Sequence, residues 1–281
     1  MSERIVRFAP SPTGLLHLGH AHSALFTAQQ AAGGRFLLRI EDIDRGRCRP
    51  EFEQAIYEDL SWLGLEWEAP VRRQSDHFGD YIDALDRLDR LDLLYPCFCT
   101  RKDIEREIEA SGHAPHGPDG MLYPGTCRQL SDAERQQKRD AGVPHALRLK
   151  TDRAYAHAGP LTWTDVSAGE QTATPEVFGD VVLARKDTPT SYHLAVTVDD
   201  ALQGITLVTR GEDLFHASHI HRLLQALLDL PTPDYHHHAL ITGTDGKRLA
   251  KRDKAATIRD LKDQGKTPAE VRALASFEDA G

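Results

Sequence analysis

The sequence predicts an α/β fold built around a parallel sheet, and two observations carry that expectation. The first is a strand, helix and strand at the start of the chain. RIVRF, with apolar Ile5, Val6 and Phe8, reads as a short buried strand. HLGHAHSALFTAQQAAGG has the length, alanine content and terminal glycines of a helix, and RFLLRI supplies the second strand. Such a unit within about forty residues requires parallel strands and a right-handed crossover. The second observation is that regular α/β texture returns late, in VVLARKD, in YHLAVTVDDALQGITLVTRGEDL and in the amphipathic ASHIHRLLQALLDL.

Between these regions, EFEQAIYEDLSWLGL and DHFGDYIDALDRLDRLDLLYP carry Ile, Leu and Tyr at helical spacing with acidic residues outward, and each ends near Gly or Pro. From about Pro96 to Gly179 the chain is rich in Gly, Pro, Thr and His, and periodicity is weak. This stretch reads as an insertion. It divides the chain into residues 1–95, 96–179 and 180–240, with a basic loop and closing helices, one near PAEVRALASF, over 241–281. His236 to His238 precede ALIT in an expected strand. Alternate side chains of a strand face opposite sides, so a structural or incidental role is expected there rather than a metal site.

Of 281 residues, 27 % are charged and 40 % hydrophobic, the composition of a soluble globular protein with enough apolar side chains for a sizeable core. No run of about 18 apolar residues occurs, and MSERIVRFAP has neither a signal-peptide stretch nor a lipidation pattern. A cytoplasmic monomer with no membrane partner is expected. The net charge of −9 excludes a broadly basic surface, so nucleic acid would have to meet a local patch. Arg35/Arg39, Arg45/Arg47/Arg49 and Lys247 to Lys254 are candidates. The close pair Cys97/Cys99 is poorly spaced for a mutual disulfide, so metal binding or free thiols are expected.

The loop after the first parallel strand is where open α/β sheets bind ligands. In APSPTG two prolines stop helix and ladder formation, Gly14 permits a tight turn, and Ser11 and Thr13 offer hydroxyls near an exposed helix N-terminus. Free N–H groups and the positive dipole end make such a terminus an anion site. His17 and His20, three residues apart, share a face of the first turns and can donate to phosphate oxygens. Gly19 between them would let a flat base approach the backbone. Far along the chain, TGTDGKRLAKRDKAA places Lys247, Arg248, Lys251, Arg252 and Lys254 in eight residues. A basic loop of this kind can neutralise charge on a phosphoryl group during transfer.

RFAPSPTGLLHLGH closely resembles the signature of the glutamyl-tRNA synthetase group of class I aminoacyl-tRNA synthetases, with His17-Leu18-Gly19-His20 as its HIGH motif. Arg248-Leu249-Ala250-Lys251-Arg252 stands where the group has its KMSKS-type loop, usually KLSKR. RIEDIDR, WLGL and TRGEDL are further landmarks, so the likeness covers almost the whole chain. The chain ends about thirty residues after the basic loop, where the group continues into a helical anticodon-binding region. It therefore resembles a truncated subfamily that glutamylates a modified base rather than a tRNA 3′ end.

The resemblance implies a Rossmann-like class I aminoacyl-tRNA synthetase catalytic domain with a zinc-containing insertion and a short C-terminal helical segment. It implies activation of glutamate by ATP and Mg²⁺ to glutamyl-AMP, independent of tRNA, and transfer to the cyclopentenediol of queuosine in the anticodon of tRNA(Asp). Arg7, Ser11, Glu41, Tyr192 and Arg210 match the glutamate-binding positions. An amino acid with two carboxylates and an ammonium needs cationic clamps plus a carboxylate, which Arg7, Arg210 and Glu41 can supply. His17, Gly19, His20, Arg248 and Lys251 match the ATP-binding positions, with His17, His20 and Lys251 as catalytic groups. Arg248 and Ala250 depart from the usual lysine and serine; arginine keeps the charge, while the lost hydroxyl removes a hydrogen bond worth roughly 0.5 to 1.5 kcal/mol. The zinc pattern of the subfamily, C-x-C then Y-x3-C, matches Cys97, Cys99, Tyr123 and Cys127. Three thiolates and a phenolate would close a four-coordinate structural site. His113 or His116 could replace Tyr123 on general chemical grounds. The rival functions are conventional 3′-end glutamylation and a catalytically silent tRNA-binding paralogue.

Overall fold

The computed structural model describes residues 3–111, 116–118, 120–241 and 256–275, with the backbone alone at 109–111 and 116. Its first half runs β1 (Ile5–Phe8), α1 (Leu18–Ala31), β2 (Arg35–Ile40), α2 (Pro50–Trp62), β3 (Glu68–Arg73), α3 (Phe78–Arg90) and β4 (Leu94–Cys97). Next come α4 (Arg101–Ser111), β5 (His116–Gly117), β6 (Gly120–Met121), α5 (Asp132–Asp140), β7 (Ala146–Leu149), α6 (Thr151–Ala158), β8 (Thr162–Asp165), β9 (Gly169–Thr172) and β10 (Val182–Ala184). The chain then continues through α7 (Tyr192–Leu202), β11 (Leu207–Gly211), α8 (Ala217–Leu227) and β12 (Asp234–His238), and α9 (Ile258–Asp263) and α10 (Pro268–Leu274) follow.

The expected βαβ unit is β1, α1 and β2, with β1 and β2 parallel and Ile5 opposite Arg35. On the far side of β2 lies parallel β3. A second group runs β11, β12, β8, β9, with β11 and β8 both parallel to β12 and β9 antiparallel at the edge. The groups adjoin where Thr206 N donates to Ile5 O at 3.0 Å and Ile5 N donates to Thr206 Oγ1 at 2.9 Å. Strand order therefore reverses between β1 and β11, the switch point where open α/β sheets leave a crevice at their carboxyl ends.

The core follows the periodicities. On α8, Ile220, Leu223, Leu224 and Leu227 recur at helical spacing and are buried. Each contributes about 1.5 to 3 kcal/mol by leaving water. α9 and α10, with the C-cap of α10, place Ile258, Leu261, Val271 and Ala275 on the cluster that contains Leu16, Ala21, Ala24 and Leu25 of the opening segment.

Residues 96–179 do not form one body apart from the parallel sheet. β7 pairs antiparallel with both β4 and β10, closing a separate three-stranded sheet at the stem. β8 instead joins the parallel sheet, with Tyr235 opposite Asp165, and its Trp163 is 2 % exposed in the main core. The weak periodicity there reflects short strands, not a lack of burial. Among the described residues no helix is long and apolar enough to cross a membrane.

Candidate active site

At the carboxyl end of β1 the chain turns through the proline-rich loop into α1. Glu41 N donates to Pro10 O and Arg49 N to Pro12 O, each at 3.0 Å, which ties this loop and its exposed Ser11 to the end of β2 and the start of α2. His17 is the N-cap of α1. Its Nδ1 accepts from Gly19 N at 3.1 Å, while His17 N donates to His20 Nδ1 at 3.2 Å. The two rings lie 3.8 Å apart. Both Nδ1 atoms act as acceptors, so the ring proton of each neutral imidazole sits on Nε2. This is the tautomer that can donate to a phosphate oxygen at a positive helix end, and the first turn of α1 carries no acidic residue to oppose it. The space over Gly19 is taken by His17 itself. A Cβ there would meet the ring at 3.0 Å, so the glycine makes room for the histidine cap.

Thr257 pairs with His17, and Ile258 N donates to Leu16 O at 2.8 Å, so the chain beyond the basic loop is anchored beside the histidine pair. Lys247, Arg248, Ala250, Lys251, Arg252 and Lys254 lie outside the described residues.

Across the switch point, Arg7 on β1 bonds Asp200 through Nε at 2.8 Å and Thr209 O through Nη1 at 3.2 Å. Arg39, wholly buried, bonds the same Asp200 at 2.7 Å and Glu41 at 3.1 Å, with Asp199 at 3.8 Å. This removes Arg39 from any nucleic-acid patch, and Arg35 is paired with Glu68 at 2.8 Å. Arg35 and Arg39 lie four apart on one face of β2, Arg35 at its open start and Arg39 at its buried end, and a guanidinium buried there must find acids. Burial opposes ionisation of Asp200, yet Arg7 and Arg39 hold it below the ordinary carboxylate range. Burial pushes Glu41 up against the pull of Arg39 and Arg7.

Arg210 on β11 is 5 % exposed and differently served. Its Nε donates to His237 Nε2 at 3.1 Å, Nη1 reaches His221 Nδ1 at 3.1 Å and Tyr192 OH at 3.5 Å, and Nη2 donates to Ser218 Oγ. None of these partners among the described residues is a carboxylate. Burial, with the charge of Arg210, depresses His237 to about 4 and His221 well below its ordinary value, so both stay neutral. Tyr192 feels the charges of Arg210, Glu41 and Arg7, which puts four of the five expected glutamate-binding residues in one cluster.

Sequence reasoning missed Asp165, Ser218, His221 and His237 here. The three-histidine run is itself β12, and alternation does separate its faces. His236 contacts Gln30 on α1 and His238 contacts Ser23, while His237 bonds Asp165 at 2.7 Å. An incidental role fails for His237, because its face is the one that meets Arg210. What sets it there is its register opposite Arg210 on the neighbouring parallel strand, which local spacing does not report.

At the base of the β4–β7–β10 sheet, Cys97, Cys99 and Cys127 place their sulfurs within 4.8 Å of one another and could hold a metal ion. Tyr123 OH lies 3.5 Å from Cys99 Sγ and accepts from Cys127 N at 2.8 Å. Phe98 N donates to Cys127 Sγ at 3.3 Å, and such bonds favour a thiolate. Burial opposes this for Cys127, but the Tyr123 and Phe98 donors bring its thiol below the ordinary value, while burial raises Cys99 to about 11. His113 and the side chain of His116 lie outside the described residues.

The model of the class I tRNA synthetases (E and Q), catalytic domain, matches residues 4–276. The chain is 51 % identical over 277 residues to a glutamyl-Q tRNA(Asp) synthetase of Rhodobacter capsulatus, covering 96 % of this chain and 99 % of that one. It is 45 % identical to a protein of the same name from Nocardia farcinica, over 95 % and 82 % of the two chains. A crystal structure of a glutamate tRNA ligase from Elizabethkingia meningosepticum, in complex with its amino acid, is similar with a TM-score of 0.80 at 29 % identity, over 98 % of this chain and 60 % of that one. The family model spans nearly the whole chain, from the first strand and its histidine-capped helix to α10, and the chain belongs to the class I tRNA synthetases (E and Q), a family of ligases.

Proposed function

We propose that the chain activates glutamate with ATP, without tRNA, and transfers the glutamyl group to the queuosine cyclopentenediol in the anticodon of tRNA(Asp). The observation that carries the reading is Arg210, a buried guanidinium whose hydrogen-bond partners among the described residues are all uncharged, facing Tyr192, on which the charges of Arg7 and Glu41 also act. Such a charge is complete only with an anion. A substrate carboxylate supplies one, and Glu41 supplies the complement for an ammonium. The names of the two relatives above favour glutamate and the modified tRNA.

In the first step a glutamate carboxylate oxygen bonds the α-phosphorus of ATP and the bond to pyrophosphate breaks. His17 and His20, each with its proton on Nε2, donate to the phosphate oxygens as charge moves onto them. Lys251 and Arg248 would act on the departing pyrophosphate, and Mg²⁺ enters with ATP. In the second step a cyclopentenediol hydroxyl attacks the acyl carbon, its proton is lost and AMP leaves. Zinc would be held by Cys97, Cys99, Tyr123 and Cys127. That donor set is closed, so the metal would stabilise residues 96–179 and take no part in either step.

Glutamate-dependent ATP/pyrophosphate exchange tests the reading. Exchange should appear without tRNA and fall by about 100-fold or more in His17→Ala and His20→Ala, by the usual cost of a lost transition-state donor. Labelled glutamate should then pass to queuosine-containing tRNA(Asp) and to no unmodified tRNA(Asp), from protein purified without chelators and carrying about one zinc per chain. Exchange that needs tRNA, charging of the 3′ end, or metal-free active protein would each overturn the corresponding part.

A further inference from the structure

We propose that Asp165 and His237 are positioning residues that aim Arg210 at a substrate carboxylate without neutralising its charge. The inference rests on the glutamate reading above and deepens it. Arg210 Nε donates to His237 Nε2 at 3.1 Å, which that nitrogen can accept only when the imidazole carries its proton on Nδ1. Asp165 Oδ2, 2.7 Å from Nδ1, holds the proton there. The hydroxyl of Ser218, 3.4 Å from the same Nε2, is compatible with that one tautomer as a second donor.

Asp165 is itself fixed. Its Oδ1 accepts the backbone N–H of Ser167 and of Ala168, each at 2.9 Å, and its Oδ2 also accepts His237 N at 3.1 Å. With every bond made, the carboxylate does not turn toward Arg210. The His237 ring is held in plane by Tyr235, stacked at 6.0 Å and 5°, and by Phe215 at 4.9 Å.

The contrast with Arg7 gives the chemistry. Asp200 binds Arg7 directly, so its negative charge lies against the guanidinium. At Arg210 an imidazole stands where that carboxylate would be. A neutral acceptor fixes the direction of Nε–H, and hence of the planar fork, while the full charge stays available to an incoming anion.

The test is ATP/pyrophosphate exchange with separate determination of KM for glutamate and for ATP. In Asp165→Asn the amide N–H faces Nδ1, which drives the proton to Nε2 and sets two donors against each other. In His237→Phe the ring volume stays and the acceptor goes. Both variants should raise KM for glutamate about tenfold or more, the scale of one misaligned charged hydrogen bond, with KM for ATP within about twofold. His236→Ala, on the opposite face of the same strand, should leave both unchanged. A glutamate KM unmoved in both variants, or a parallel rise in both KM values, overturns the positioning role. Absence of glutamate-dependent exchange in the unaltered protein overturns the substrate reading itself, and this proposal with it.

Discussion

Two buried arginines on adjoining sheets are built on opposite principles. Arg39 on β2 meets three carboxylates, Asp200 at 2.7 Å, Glu41 at 3.1 Å and Asp199 at 3.8 Å, and Asp199 is further held by Arg72, Gln74 and Tyr81. Arg210 on β11 meets two imidazoles, a serine and a tyrosine. The first arrangement is electrically complete and ties β2 to α7 and β3. The second leaves a buried guanidinium with no directly bonded carboxylate among the described residues. Burial is common to both, so it is the partners of a buried arginine that distinguish a structural keystone from a group able to take up an anion.

The largest effect should come from breaking the complete cluster. Arg39→Met removes the cation shared by two buried acids and the half-buried Glu41, and a buried pair broken from one side costs about 3 to 5 kcal/mol. Urea unfolding should show the loss as a lower midpoint at unchanged slope. A midpoint near that of the unaltered protein would mean that packing of α7, not charge, holds this region, and the comparison would collapse.

A change of pH should separate the two regions without mutation. His237, depressed to about 4 by burial and Arg210, is neutral in the fold and near its ordinary value when unfolded. The unfolded chain therefore binds the proton first. Stability is constant above about pH 6.5, falls between about 6.5 and 4, and loses roughly 3 kcal/mol there from this group. His221 adds to the loss in the same direction. Asp200, held low by Arg7 and Arg39, contributes stability that is lost only at lower pH, while Glu41, raised by burial, runs the other way. Unfolding free energies at pH 7, 5.5 and 4, measured on the unaltered protein and on His237→Phe, check this, and an identical pH dependence in the two would show that His237 is not confined as a neutral ring.

How much of this was legible in the sequence follows the same division. The βαβ unit, α8 and the strand at β11 could be read because apolar spacing reports burial. β3, in EAPVRR, could not: it has no apolar alternation, and it is a strand because β2 pairs with it and Arg72 and Arg73 find acids across the crevice. The histidine pair and the cysteine cluster were legible as motifs, since their partners lie within a few residues or recur at a known spacing. The setting of Arg210 was not, because Asp165 and His237 are 72 residues apart and meet only through the register of β12 between β11 and β8.

The smallest effect on stability, and the sharpest on function, should come from Arg210→Met. Removing the guanidinium leaves His237 Nε2 and His221 Nδ1 without its donors. Ser218, 3.4 Å from His237 Nε2, can supply one of them, and His221 can shift its proton. Against that cost stands the relief of a buried charge that bonds directly to no carboxylate among the described residues, so the net change should lie within about 1 kcal/mol and can favour the variant. The acid loss of stability should also shrink, since the charge of Arg210 is one cause of the depressed His237. Glutamate binding should nevertheless fall by about two orders of magnitude or more, the penalty for truncating a desolvated charge partner. Urea midpoints and the glutamate KM, measured together on Arg39→Met and Arg210→Met, decide the matter. If Arg210→Met lost stability as Arg39→Met does, while its glutamate KM held, the two clusters would be one kind of structure and Arg210 no clamp.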